Sequence, residues 1–115
     1  MQGMKSFAGR AARTPADRAG LAQALAAYAY GVGIADVRAS TRGKSRVALA
    51  RQIAMYLCHS VFHLDARELA ETFGRDDSTV RYALNQVGDM RADADFDRTI
   101  RYLAQVLRRT AEDAA

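Results

Sequence analysis

The chain has no tryptophan, one cysteine and one proline, and each shortage removes a class of protein. A lone Cys58 cannot close an internal disulfide, which excludes a disulfide-stapled scaffold and fits a reducing compartment. Pro15 is the only proline and β-branched runs are missing, so little interrupts helices, and abundant alanine favours them over strands. No apolar run approaches the length of a membrane span, and the N-terminus lacks a secretory apolar core. These absences predict a soluble, cytoplasmic protein.

What is present suits one small domain. Its 115 residues, 50% of them apolar, can build a single core, and a chain of this size buries about two-thirds of its unfolded surface. The net charge of +4 is unevenly spread. Residues 1–63 carry nine cations against Asp17 and Asp36, a balance of +7, whereas residues 64–115 carry eight arginines against eleven acids, a balance of −3. That asymmetry points to one surface aimed at a polyanion, or to a solvated basic face.

Residues 1–14 are small and basic, with Lys5, Arg10 and Arg13 and no acid, which predicts a flexible arm ahead of a domain over 15–115. Thr14-Pro15 reads as a helix start, and Leu21, Leu25 and Tyr28 as its apolar stripe. Gly31 and Gly33 should end that helix. Ile34 to Val37 follows as a short apolar segment before the polar loop from Ser40 to Arg46. The next helix is expected from about Ser45 to His63, facing inward through Ile53, Ala54, Leu57 and Val61. Asp65 with Glu68 forms a capping box for a short helix, Ala66 to Phe73, which Gly74 breaks. Two more helices are expected, from about Asp76 to Met90 and from Asp95 to Thr110, the last buried through Phe96, Ile100, Leu103 and Leu107. The sum is an all-α domain of about five helices.

Residues 66–85 carry the functional inference. Ala70 is small where two helices would cross, Gly74 lies where the chain must leave the first of them, and Val80 and Ala83 face back onto Leu69 and Phe73. This spacing fits a helix-turn-helix, with an ordinary helical hairpin as the bland reading. If the second helix packs through Val80, Ala83, Leu84 and Val87, a step of about 100° per residue puts Ser78, Arg81, Tyr82 and Asn85 on the opposite face. Those are side-chain types that read a major groove. One of Asp76 and Asp77 should cap the helix, and the other could accept from a cytosine amine. Arg75 and Arg81 flank these carboxylates as compensating cations.

Two segments resemble the DNA-binding C-terminal domain of the bacterial replication initiator family, DnaA. Arg51-Gln52-Ile53-Ala54-Met55-Tyr56-Leu57 looks like the start of that domain's long helix, and Phe73-Gly74-Arg75-Asp76-Asp77-Ser78-Thr79-Val80 resembles its signature, 22 residues downstream. Ile34-Ala35-Asp36-Val37 and the basic loop follow the family order, so the likeness spans roughly residues 18 to 110. The resemblance implies double-stranded DNA as partner. It implies a minor-groove cation on the loop (Arg42 or Lys44, with Arg46 nearby), contacts from Arg51 and Gln52, base reading by Asp76, Asp77 and Ser78, and a phosphate contact from Thr79. The chain departs from the family pattern where Asp77 replaces a histidine, His59 a lysine and Ala50 a proline, and where the turn has one glycine fewer.

Other constellations rank lower. Gly43-Lys44-Ser45 mimics the end of a phosphate loop, but the position that needs glycine is Arg38, so no nucleotide or other cofactor is expected. His59 and His63 sit one turn apart beside Cys58, yet a zinc site needs further converging ligands, so no metal is expected. Asp93, Asp95 and Asp97 suit a helix start rather than catalysis. The basic last helix could lie on a membrane, but its apolar stripe is that of a packed helix. The expected function is therefore nucleoid-associated DNA binding that regulates replication initiation without enzymatic activity. The alternatives are a transcriptional regulator with its own operator, or a protein-interaction module acting on the initiator or its regulators.

Overall fold

The computed structural model describes residues 13–39 and 45–113. Most of the arm expected over residues 1–14, and the loop cations Arg42 and Lys44, lie outside those residues. Six α-helices and no strand occur among the described residues: α1 (Pro15–Tyr30), α2 (Ile34–Arg38), α3 (Ser45–Phe62), α4 (Ala66–Phe73), α5 (Asp77–Met90) and α6 (Ala94–Asp113). The all-α expectation holds, with one helix more than the five counted from the sequence, because residues 34–38 close a helical turn and a half.

α1 starts where its cap demands. Thr14 is extended (φ −84°, ψ 153°), its hydroxyl accepts from the Asp17 amide at 3.1 Å, and Pro15 occupies the first turn. Gly31 ends it with φ +64°, and the Val32 amide reaches back to the Ala27 carbonyl at 3.0 Å. Gly33 does not share in that stop. It is the extended residue that opens α2.

The face that α1 buries corrects the sequence reading. Ala19, Ala22, Ala26 and Ala27 are buried, Leu21 and Leu25 only half so, and Tyr28 is 88% exposed. Both stripes repeat at helical spacing, and their period alone cannot choose between them. Close packing chooses the alanines, because α1 makes its most extensive contact with α3, and small side chains let two helix backbones approach there.

α3 is the central element, burying Val47, Ala50, Ile53, Ala54, Met55, Leu57 and Cys58. Val61, expected on that inward face, is half-buried. The helix ends at His63, which takes the left-handed conformation (φ +62°), while the His59 Nδ1 donates to the Leu64 carbonyl at 2.8 Å. α5 packs on α3 through Val80, Ala83 and Val87, and α6 through Ile100, Leu103 and Leu107, with Phe96 and Leu84 half-buried. Arg91, just past α5, donates to the Tyr56 hydroxyl at 3.0 Å and to Asp97 at 2.6 Å, which ties the end of α5 to the start of α6 and the middle of α3.

Candidate nucleic-acid interface

The helix-turn-helix is built by local chemistry. Asp65 accepts from the Glu68 amide at 2.9 Å, and the Glu68 carboxylate accepts from the Asp65 amide at 3.0 Å, so both halves of the capping box form. Nine residues after Asp65, Gly74 takes φ +66°, and the Arg75 amide closes on the Ala70 carbonyl at 3.0 Å. Asp76 is extended and its Oδ1 accepts from the Thr79 amide at 3.4 Å, capping α5. Hydrogen bonds from Thr79 hold the Asp76 carboxyl below its ordinary range, so it is an anion at neutral pH. Of the two acids, Asp76 is therefore the cap, and Asp77 stands free of that duty in the first turn of α5.

The exposed face of α5 matches expectation. Ser78, Thr79, Arg81, Tyr82 and Asn85 are all exposed, Tyr82 to 60%, while Val80, Ala83 and Val87 face the core. Asp77 and Arg81 lie one turn apart with Nη2 to Oδ2 at 3.6 Å, and their side chains are 49% and 65% exposed. An exposed pair at this spacing contributes about 0.3–0.5 kcal/mol, too little to hold either group against a better partner. The face thus offers hydroxyls, an amide, a guanidinium and a phenol, with one carboxylate that only accepts.

Arg51, which the resemblance places at a DNA contact, and Arg75, expected as a cation flanking the carboxylates, both donate to backbone carbonyls. Arg51 is 7% exposed, with Nε donating to the Val37 carbonyl at 2.8 Å and Nη2 to the Asp36 carbonyl at 3.0 Å. Both carbonyls lie in the last turn of α2, a five-residue helix: that of Asp36 also accepts from the Ala39 amide at 3.3 Å, whereas that of Val37 lies beyond the helix's own donors. Half-buried Arg75 donates from Nη2 to the Ala39 carbonyl at 2.5 Å. Burial, with the nearby Arg75 charge, pulls the Arg51 guanidinium below its usual range. Arg51 thus clamps the foot of α2 through Nε and Nη2, at a position where the resemblance implies a DNA contact. The signal that could have found it is the isolated helix end at Arg38, which needs donors from elsewhere.

Gln52 is half-buried, Arg46 is exposed in the first turn of α3, and the turn-side lip of the domain carries an open groove of about 470 Å³ lined by Arg67, Ala70, Glu71, Arg75 and Asp77. Arg67, on the outer face of α4, was not singled out by sequence reasoning, yet it shares this groove with Arg75 and Asp77. It lies two residues past the cap Asp65, exposed in the first turn of α4.

The remaining candidates lie apart from this surface. Burial pushes the Cys58 thiol up to about 12, and its Sγ lies 3.8 Å from the Arg18 carbonyl. No group of three or more His, Cys, Asp or Glu placed to hold a metal occurs among the described residues. No helix among them is long and apolar enough to cross a membrane.

Two short helices crossing at Ala70 and Gly74, with a polar outer face on the second, define a helix-turn-helix domain. Comparison with known proteins agrees. The family model described as the bacterial DnaA protein helix-turn-helix matches residues 22–87. The chromosomal replication initiator protein DnaA of Bordetella pertussis is 36% identical over 81 residues, covering 69% of this chain and 17% of that protein. Its counterpart in Mycobacteroides abscessus is 52% identical over 50 residues, covering 42% of this chain and 10% of that protein. A crystal structure of a DNA replication initiation factor superposes with a TM-score of 0.74 at 28% identity, covering 84% of this chain and 30% of that one. A replication initiator DnaA bound to AMPPCP and single-stranded DNA gives 0.65 at 27%, covering 90% and 30%. The chain belongs to the bacterial DnaA helix-turn-helix family, and it spans about a sixth of the length of the Bordetella initiator.

Proposed function

We propose that this chain binds double-stranded DNA by setting the N-terminal half of α5 into a major groove, and that it does so in the control of chromosome replication initiation. The observation that carries the reading is the α5 face, where Ser78, Thr79, Arg81, Tyr82 and Asn85 are exposed together on a helix whose other side packs on the core through Val80, Ala83 and Val87. In this reading Arg46 and Arg67 meet phosphates on either side of the groove, Asp77 meets a base, and the basic segment with Arg42 and Lys44 approaches the minor groove. Family membership supports replication as the setting, and the nucleoid as the place of action.

The test is equilibrium binding to duplex DNA across a salt series. Arg46→Ala should weaken binding to every sequence and lower the log–log salt slope by about 0.9, the value of one phosphate contact. Arg81→Ala with Asn85→Ala should instead reduce discrimination between sequences. No measurable duplex binding by the parent at low salt would overturn the reading.

We also infer that this stretch of chain neither binds nor hydrolyses ATP, since Arg38 stands where a phosphate loop needs glycine. Calorimetry with ATP should show no saturable heat. A second reading, an interaction module acting on the replication initiator or its regulators, is favoured by one feature: two adjacent carboxylates, Asp76 and Asp77, at the start of α5 that would face phosphates. Capture of the initiator by the parent in the absence of DNA would support it.

A further inference from the structure

The last helix carries a second charged sector that the α5 reading leaves unused. At about 100° per residue, Arg98, Arg101, Tyr102, Gln105, Arg108 and Arg109 fall within roughly 120° of one another around α6. All six are exposed, Tyr102 to 66%. The opposite side of the helix is spent on the core through Ile100, Leu103 and Leu107. No acid lies between Arg98 and Arg109 in the sequence. The acids of this helix sit at its ends: Asp95 pairs with Arg98, Asp97 pairs with Arg91 and Arg101, and Glu112 and Asp113 follow in the last turn, Glu112 in line with the sector one turn past Arg108. Arg108 and Arg109 have no carboxylate in ion-pair range among the described residues.

We propose that this sector of α6 contacts the sugar–phosphate backbone of a second DNA duplex, so that the domain can bridge two segments. The bridging rests on the α5 reading for its first segment. Three observations favour duplex DNA as the occupant. The sector is Arg-rich with a projecting phenol and an amide, the donor set used on phosphate and sugar oxygens. It extends 11 residues, roughly 16 Å of helix, enough to meet two or three successive phosphates. α6 packs on α1 and α3 rather than on the α4–α5 pair, so its outer sector belongs to a different side of the core from the reading helix. An anionic membrane fits less well, because a helix lying in a bilayer surface inserts an apolar face, and here that face is committed to the core.

The experiment immobilises one duplex, adds the protein, and measures retention of a second, labelled duplex of unrelated sequence. The parent should retain it. Arg108→Ala with Arg109→Ala should bind the immobilised duplex as the parent does, with an unchanged melting temperature, and retain about tenfold less of the second, with a salt slope lower by about 1.8. A parent that binds the first duplex but retains no second, or a double variant that retains as much as the parent, overturns the proposal and leaves the α5 reading standing. Failure of the α5 reading looks different: Arg81→Ala with Asn85→Ala would bind like the parent, and all binding would be sequence-independent and lost with the arginine pair. Vesicles of phosphatidylglycerol form a further arm. Parent capture on vesicles that duplex DNA cannot displace, abolished by the same arginine pair, would assign the sector to membranes and overturn the DNA bridge.

Discussion

The two halves of this domain are held by different kinds of information. In the α4–turn–α5 half, each boundary is set by residues within five positions of it: Asp65 with Glu68, Gly74 with Ala70, Asp76 with Thr79. In the α1–α2–α3 half, the decisive contacts run 14 residues and more along the chain, from Arg51 to the carbonyls of Asp36 and Val37 and from the alanines of α1 to α3. The difference teaches where function is free to change. Locally capped helices can vary their outer face without losing their ends, whereas the α1–α3 half is a packed frame in which even a cation is structural.

The sharpest way to break that contrast is at Arg51. Arg51→Met removes the buried donor to the Val37 carbonyl, while the Asp36 carbonyl keeps the Ala39 amide, and one unsatisfied buried group costs about 1–3 kcal/mol, so a loss of that size is expected in urea unfolding. Arg51→Lys, with one compact donor in place of a fork, should recover only part of it. If Arg51→Met unfolds like the parent but binds DNA poorly, the side chain is a contact and not a clamp.

A second comparison lies within α1. Ala26→Leu forces extra volume into the seam with α3 and should cost about 1–3 kcal/mol. Tyr28→Ser, on the neighbouring stripe, should fall within about 0.5 kcal/mol of the parent. Thermal unfolding reads both, and the reverse order would restore Leu21, Leu25 and Tyr28 as the core stripe.

The smallest effect is electrostatic. The Arg91 guanidinium, and Arg101 with it, hold the Asp97 carboxyl below the ordinary carboxylate range. A depressed folded-state value means the contribution is full above the unfolded carboxylate range, near pH 4, and is lost as pH falls through the lower folded value. Asp97→Asn should therefore lower stability at neutral pH and flatten the acid limb of the stability curve. Equal slopes for parent and variant below pH 4 would contradict the assignment.

Legibility followed the same divide. The caps at Thr14, Asp65 and Gly74, and the outward set on α5, were readable because a cap or a turn is a short-range hydrogen-bond pattern written in three or four adjacent residues. The buried face of α1 was not, since two stripes one residue apart share one period and only the approach of α3 decides between them. α2 was read as an apolar segment because five residues carry too little periodicity to declare a helix. The family resemblance points Arg51 at DNA, and its bonds to the Val37 and Asp36 carbonyls, 14 and 15 residues away, explain why it is buried. Arg67 was missed because a lone arginine in a first helical turn looks like any solvated charge.

The central claim is that α5 reads bases through its first turn, and Asp77 tests it most directly. The carboxylate stands exposed beside Arg81 where the resemblance places a histidine, and it can only accept hydrogen bonds. The measurement is competition binding between the standard initiator box and a scrambled duplex, for the parent and for Asp77→His. The account predicts weak preference for the box in the parent and a gain of about 1–3 kcal/mol in the variant, the scale of one base contact, confined to the base pairs under the helix start. Equal selectivity in parent and variant would mean that position 77 faces no base, and that the first turn of α5 does not read DNA.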